Sequence, residues 1–269
     1  MQSKIRQMAE CSMLVALATV LSVCKLVEMP YGGSITFASM LPIVIMSYRH
    51  GCTWGLTAGL LYGLIQQLLG LNSLSYFTTW YSILAVMLLD YVLAFAVLGL
   101  AGLFRRRAAT QGRGMLAGAL FVCLLRYTLH TIAGCTVWAG LSIPSEAALL
   151  YSLGYNATYM LPETIILLTV TAYLSSMLDF GRHIPVRRTM AFGNRPSFVC
   201  HILSGVLAVA AVTVATVLVF PHMQDAATGS FVLNGLSAVN WVAVLLSLLL
   251  GAISSLALWL AARKFSRAG

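Results

Sequence analysis

The sequence predicts an all-α, polytopic membrane protein, a six-helix bundle followed by two additional C-terminal transmembrane helices. Three observations predict it. Of 269 residues, 60% are hydrophobic and only 9% charged, where a soluble domain carries about 25% charged residues. Mean hydropathy is +0.91. Apolar runs such as Leu236–Ala262 continue over the ~20 residues a helix needs to cross about 30 Å of hydrocarbon, without the ten-residue alternation of a membrane β-barrel. A soluble enzyme and a disordered chain are excluded on the same grounds.

Eight spans follow in order: Met8–Val27, Ile35–Tyr48, Thr53–Leu71, Tyr81–Phe104, Met115–Val137, Ala148–Leu178, Phe198–Phe220 and Ser237–Ala262. The first has Lys4 and Arg6 before it but no small-residue cleavage site after it, so it reads as a retained span. The second is short and carries Pro42. The third holds Gly51, Gly55, Gly59 and Gly63 at intervals of four, and the first holds Ser12 and Ala16; both stripes permit close helix approach, inside the bundle or toward another membrane subunit. The basic stretch 181–196 separates residues 1–180 from a C-terminal pair, 197–269, that is rich in Ala, Val, Leu and Ser. The six cysteines show no C-x-x-C spacing, and neither a disulfide framework nor a metal site is expected.

Orientation follows from charge. Fourteen of the sixteen Lys and Arg residues fall in segments on one side, with Lys25 and Arg126 the exceptions, so both termini are expected in the cytoplasm of a cell (plasma) membrane protein. The net charge of +9 is accounted for in this way, and no nucleic-acid partner is implied.

Ionisable groups within hydrocarbon are costly and mark function by default. Asp90 lies about nine residues below the outer end of the fourth span, roughly 13 Å down at 1.5 Å per residue. His130 and Asn156 reach a similar depth on the fifth and sixth spans. His130, Gly134 and Trp138 form one i, i+4, i+8 stripe, with the glycine leaving a gap where a flat ligand could rest. Tyr151, Tyr155 and Tyr159 form a second stripe, and Tyr76, Trp80, Tyr81 and Tyr91 add aromatic surface around the fourth span. A carboxylate among aromatic faces suits a flat, cationic heteroaromatic ligand. Arg126, one turn below His130, is expected to balance Asp90 or Glu163. The sequence has no G-x-x-x-x-G-K-[ST], H-E-x-x-H or G-x-S-x-G pattern, so it encodes neither ATP hydrolysis nor common hydrolase chemistry.

The run Arg126-Tyr127-Thr128-Leu129-His130-Thr131-Ile132-Ala133-Gly134, then Trp138 and Tyr151-Ser152-Leu153-Gly154-Tyr155-Asn156, resembles the thiamine-binding S subunits of energy-coupling factor transporters. Tyr31-Gly32-Gly33, Leu41-Pro42-Ile43 and Leu88-Leu89-Asp90-Tyr91 extend the resemblance over about residues 5–180. It implies a non-enzymatic, high-affinity thiamine-binding subunit without a cofactor. Asp90, Tyr91, His130, Gly134, Trp138, Tyr151, Asn156 and Trp80 would form the substrate site. Ser12 and Ala16 would dock a transmembrane coupling subunit that works with two ABC ATPases. Where some members have glutamate or an outer-loop tryptophan, this chain has Asp90 and Gly33, the second removing a stacking face. The alternatives are a related substrate such as a pyrimidine precursor, an intramembrane enzyme using Asp90 and His130 as acid and base, or an assembly protein whose polar groups only pair helices.

Overall fold

The computed structural model describes residues 2–29, 32–138, 145–182, 184–187, 195–223 and 234–268, and shows eight helices. Tyr31 and half of the basic linker 181–196, residues 183 and 188–194, lie outside the described residues. The helices are α1 (Gln2–Val23), α2 (Leu41–His50), α3 (Cys52–Leu69), α4 (Trp80–Phe104), α5 (Gln111–Thr136), α6 (Glu146–Met177), α7 (Arg195–Val219) and α8 (Trp241–Ala268). Six of them, α1 and α4 to α8, are long and apolar enough to cross a membrane.

The first expected span runs four residues past the end of α1, and the second starts six residues before α2. Chain from Lys25 to Thr36 forms an antiparallel hairpin, β1 (Lys25–Glu28) with β2 (Ser34–Thr36), rather than helix. α2 is therefore only ten residues. Pro42 supplies the preset φ of a first helical turn, and Gly51, at φ +92°, ends α2 in a conformation that penalises any Cβ. α2 is buried from Leu41 to Arg49, a helix hydrophobic all round and enclosed by the others.

α3 and α4 meet backbone to backbone. A Cβ at Gly63 would lie 2.8 Å from the Tyr91 carbonyl, and Cβ atoms at Gly59 and Gly55 would strike the carbonyls of Phe95 and Gly99. The glycine stripe therefore packs inside the bundle. Ser47 of α2 joins this contact by bonding the Gly99 carbonyl and accepting from the Gly102 N–H at 2.8 Å. α4 is not a uniform helix: it passes from α at Trp80–Val86 to π at Met87–Leu93 and 3-10 at Val97–Phe104. The widened turn carries Asp90.

α5 and α6 begin at side-chain caps. Thr110 accepts from the Arg113 N–H at 3.3 Å, and Ser145 accepts from the Ala148 N–H at 3.1 Å. On the basic side of the bundle Arg49, buried, bonds both carboxylate oxygens of Glu10, which also meets His50 at 2.9 Å. Arg49 Nη1 donates to the Phe180 carbonyl at 3.0 Å, tying α1 and α2 to the chain after α6.

The C-terminal pair is built differently. α7 and α8 are joined by Ser197 donating to the Ala262 carbonyl at 2.9 Å and Ser204 donating to that of Ser255 at 2.8 Å. The pair leans on α6 through Tyr173 and Phe198, whose rings lie 4.7 Å apart, and through Gly205 beside Thr169. α1 has no such cover: Ser12 and Ala16 are exposed, while Cys11, Val15 and Ala18 face the bundle.

Candidate functional site

A cavity of about 910 Å³ lies between the hairpin, α3, α4, α5 and α6. Its polar centre is Asp90. One carboxylate oxygen accepts from His130 Nδ1 at 2.8 Å and the other from the Trp138 indole N–H at 2.9 Å. The carboxylate fixes both ring orientations, and because it can only accept, it makes Nδ1 the donor. His130 Nε2 then has no hydrogen-bond partner among the described residues. The π turn of α4 delivers the carboxylate to this position, and π turns inside α-helices frequently occur at functional sites.

The opposite wall comes from α6. Asn156 donates to the Ser152 carbonyl at 2.9 Å and accepts from the Tyr159 hydroxyl at 2.6 Å. Ser152 in turn donates to the Thr131 carbonyl at 2.8 Å, locking α6 to α5. Tyr151 and Tyr155 stack with centroids 5.8 Å apart, and Tyr155 meets Tyr159 edge-on at 5.9 Å. These rings line the cavity together with Tyr76, Tyr91 and Phe95.

Below this level sits a buried ion pair. Arg126 Nη1 donates to Glu163 at 2.8 Å, and its guanidinium lies 4.6 Å from the centre of the Phe95 ring. Thr36, at the base of the hairpin, donates to the other Glu163 oxygen at 2.6 Å, with Ser39 Oγ 2.7 Å away on its other side. Arg126 thus balances Glu163 rather than Asp90. At the rim Lys25 balances Glu28 at 2.6 Å. Among the described residues, the lining charges Lys25, Glu28 and Arg126 each have an oppositely charged Lys, Arg or Glu partner, whereas the Asp90 carboxylate has neither lysine nor arginine beside it and meets only His130 and the Trp138 indole.

Of the eight expected site residues, seven line the cavity: Asp90, Tyr91, His130, Gly134, Trp138, Tyr151 and Asn156. Trp80 does not. It is 74% exposed, packs edge-on against Tyr81 at 5.8 Å, and starts α4 on the outside of the bundle. Tyr76 takes the place expected of it, at the cavity wall with its ring 6.0 Å from Trp138, and Phe77 packs against the same indole at 4.6 Å. Gly134 leaves no open gap, because a Cβ there would strike Ser152 Oγ; its role is close approach of α5 to α6. Gly33 lies flat on Tyr159, where a Cβ would fall 2.6 Å from the ring.

Sequence reasoning missed Phe77, Ser152 and Thr36. Ser152 and Asn156 stand at i, i+4 and Tyr159 three residues on, a spacing that could have grouped them. Phe77 and Thr36 are brought in by a turn and a hairpin that helical periodicity does not register.

The match to known proteins covers this same region. Residues 8–180 match a family described as Thiamine transporter protein (Thia_YuaJ). The chain belongs to the thiamine transporter family. The thiamine transporter ThiT of Bacillus subtilis is 35% identical over 179 residues, 62% of this chain and 89% of that protein. The solved structure of ThiT from Listeria monocytogenes superposes with a TM-score of 0.51 at 24% identity, over 64% of this chain and 94% of that one, and shows the same fold. α7 and α8 fall outside the part that matches the thiamine transporter family.

Proposed function

We propose that this chain is the substrate-capturing subunit of a thiamine uptake system, and that residues 1–180 are the unit that binds. Membership of the thiamine transporter family supports the substrate class. The observation that carries the reading at the level of residues is the Asp90 carboxylate, which has no lysine or arginine partner among the described residues, in a cavity walled by aromatic rings. Thiamine is a monocation with two flat rings. Its thiazolium would supply a positive charge for that carboxylate, and the rings of Trp138, Tyr151 and Tyr155 would supply faces attractive to a cation. The donors and acceptors of Asn156, Tyr159 and His130 suit the aminopyrimidine. The related proteins are named as transporters, so binding rather than catalysis is the function inferred.

The partners are part of the same proposal. No phosphate-binding loop is encoded, so ATP hydrolysis would have to come from a separate module, such as the coupling subunit and two ABC ATPases that the resemblance to energy-coupling factor subunits implies. Exposed Ser12 and Ala16 on α1 offer that module a surface where backbones can approach. The distribution of basic segments supports an orientation with both termini in the cytoplasm and the hairpin outside.

The test is titration of the detergent-purified full chain with thiamine, followed by intrinsic tryptophan fluorescence. Saturable quenching that disappears in Trp138→Phe while calorimetry still detects binding supports the reading. A flat response by both methods on monodisperse protein overturns it.

A further inference from the structure

α7 and α8 are antiparallel, so the start of one lies beside the end of the other, as the Ser197 to Ala262 hydrogen bond of 2.9 Å shows. Charge is concentrated at that end. Residues 195–269 contain Arg195, Arg263, Lys264 and Arg267, against one acid, Asp225, which lies outside the described residues. Arg263 and Lys264 are exposed. The Arg263 guanidinium is held 4.2 Å from the centre of the Trp259 ring, so its face is used and its N–H edge is left for an acceptor. The adjoining start of α7 adds the positive end of a helix dipole. Next to these charges, Val199, Leu203 and Val206 on α7 and Leu256 and Leu260 on α8 are exposed apolar side chains.

We propose that this end of the α7–α8 pair is a binding site for an anionic phospholipid. Its phosphate would meet the guanidinium and ammonium at headgroup level, where planar N–H forks suit phosphate oxygens, and its acyl chains would lie along the apolar faces just named. A free phosphate ion would use the charges but not the faces. The site gives the C-terminal pair, which the thiamine transporter family does not account for, a function of its own. It is independent of the substrate reading above.

The full chain, purified in neutral detergent and delipidated, is titrated with phosphatidylglycerol, phosphatidylcholine and inorganic phosphate, and bound lipid is counted by native mass spectrometry. Phosphatidylglycerol is expected to bind at least about tenfold more tightly than phosphatidylcholine. The double variant Arg263→Gln/Lys264→Gln should weaken it by roughly thirtyfold, from about 1 kcal/mol per basic residue near an anionic surface. The single variant Arg263→Lys keeps the charge and the fold but loses the ring contact and the planar fork, and should weaken it several-fold. Arg106→Gln/Arg107→Gln, which removes two exposed charges elsewhere on the same side, should change it by less than about twofold. Three results overturn the proposal: equal retention of the two lipids, equal loss in the two double variants, or displacement of phosphatidylglycerol by millimolar phosphate. Circular dichroism and elution volume confirm that each variant is folded.

Discussion

Replacing Asp90 by asparagine removes the one cavity carboxylate that has no lysine or arginine partner among the described residues, while keeping side-chain size. Two losses follow. First, a thiazolium about 5 Å from the carboxylate interacts with it by roughly 3 kcal/mol at an effective dielectric of about 20, a factor of about a hundred or more in affinity. Second, the asparagine amide presents one oxygen and one NH2 where the carboxylate accepts twice, at 2.8 and 2.9 Å, so with its oxygen on the Trp138 indole the NH2 faces His130 Nδ1 and leaves that N–H orphaned unless the imidazole proton moves to Nε2. An orphaned partner costs about 1–3 kcal/mol. That second loss falls on any ligand; the first falls on a cation alone. Calorimetry of Asp90→Asn with thiamine and with the isolated, uncharged aminopyrimidine should therefore show thiamine weakened by about a hundredfold more than the pyrimidine. Equal weakening of the two would refute the charge argument and leave Asp90 a device for positioning two rings.

Other outcomes can be checked directly. Arg126→Met strands the Glu163 carboxylate, both groups being buried, and should lower stability by about 3–5 kcal/mol in thermal unfolding; adding Glu163→Gln should restore much of it. Gly99→Ala drives a Cβ into the backbone at Gly55 and Leu56, and should cost about 1–3 kcal/mol or more by the same assay. Ala16→Leu, on the exposed face of α1, should leave thiamine binding unchanged in detergent and lower uptake by cells. Deletion of residues 197–269 removes nothing that lines the cavity, so a folded truncation should bind thiamine within about threefold of the full chain, by the ordinary small effect of distant changes.

The long helices were legible because hydrocarbon imposes one requirement on every residue of a span, and a run of apolar side chains satisfies it visibly. α5 and α6 begin within four residues of their expected starts. The depth argument likewise brought Asp90, His130 and Asn156 to one cavity, since rise per residue is a property of the backbone. What failed was whatever breaks that regularity. The segment 25–36 reads as the ends of two spans, yet its Val, Ile and Thr residues suit a hairpin equally, and only tertiary pairing with the bundle decides. Trp80 stands ten residues before Asp90, about 80° away even on a regular 3.6-residue wheel, so a shared helix did not bring the two to one face. Gly134 was placed on the correct face, but a sequence does not say whether a missing side chain is a vacancy or a seat for a neighbour such as Ser152.

The Thr36 hydroxyl reaches into the bundle to grip Glu163, itself held by Arg126. Strand β2 is consequently part of the membrane core, whereas β1 shows the solvent four exposed residues. The outer hairpin and the buried ion pair therefore share one hydrogen bond. Removing the Thr36 hydroxyl would leave a Glu163 oxygen short of a donor inside the bundle, so a change made in the hairpin would be felt as a loss of stability in the core.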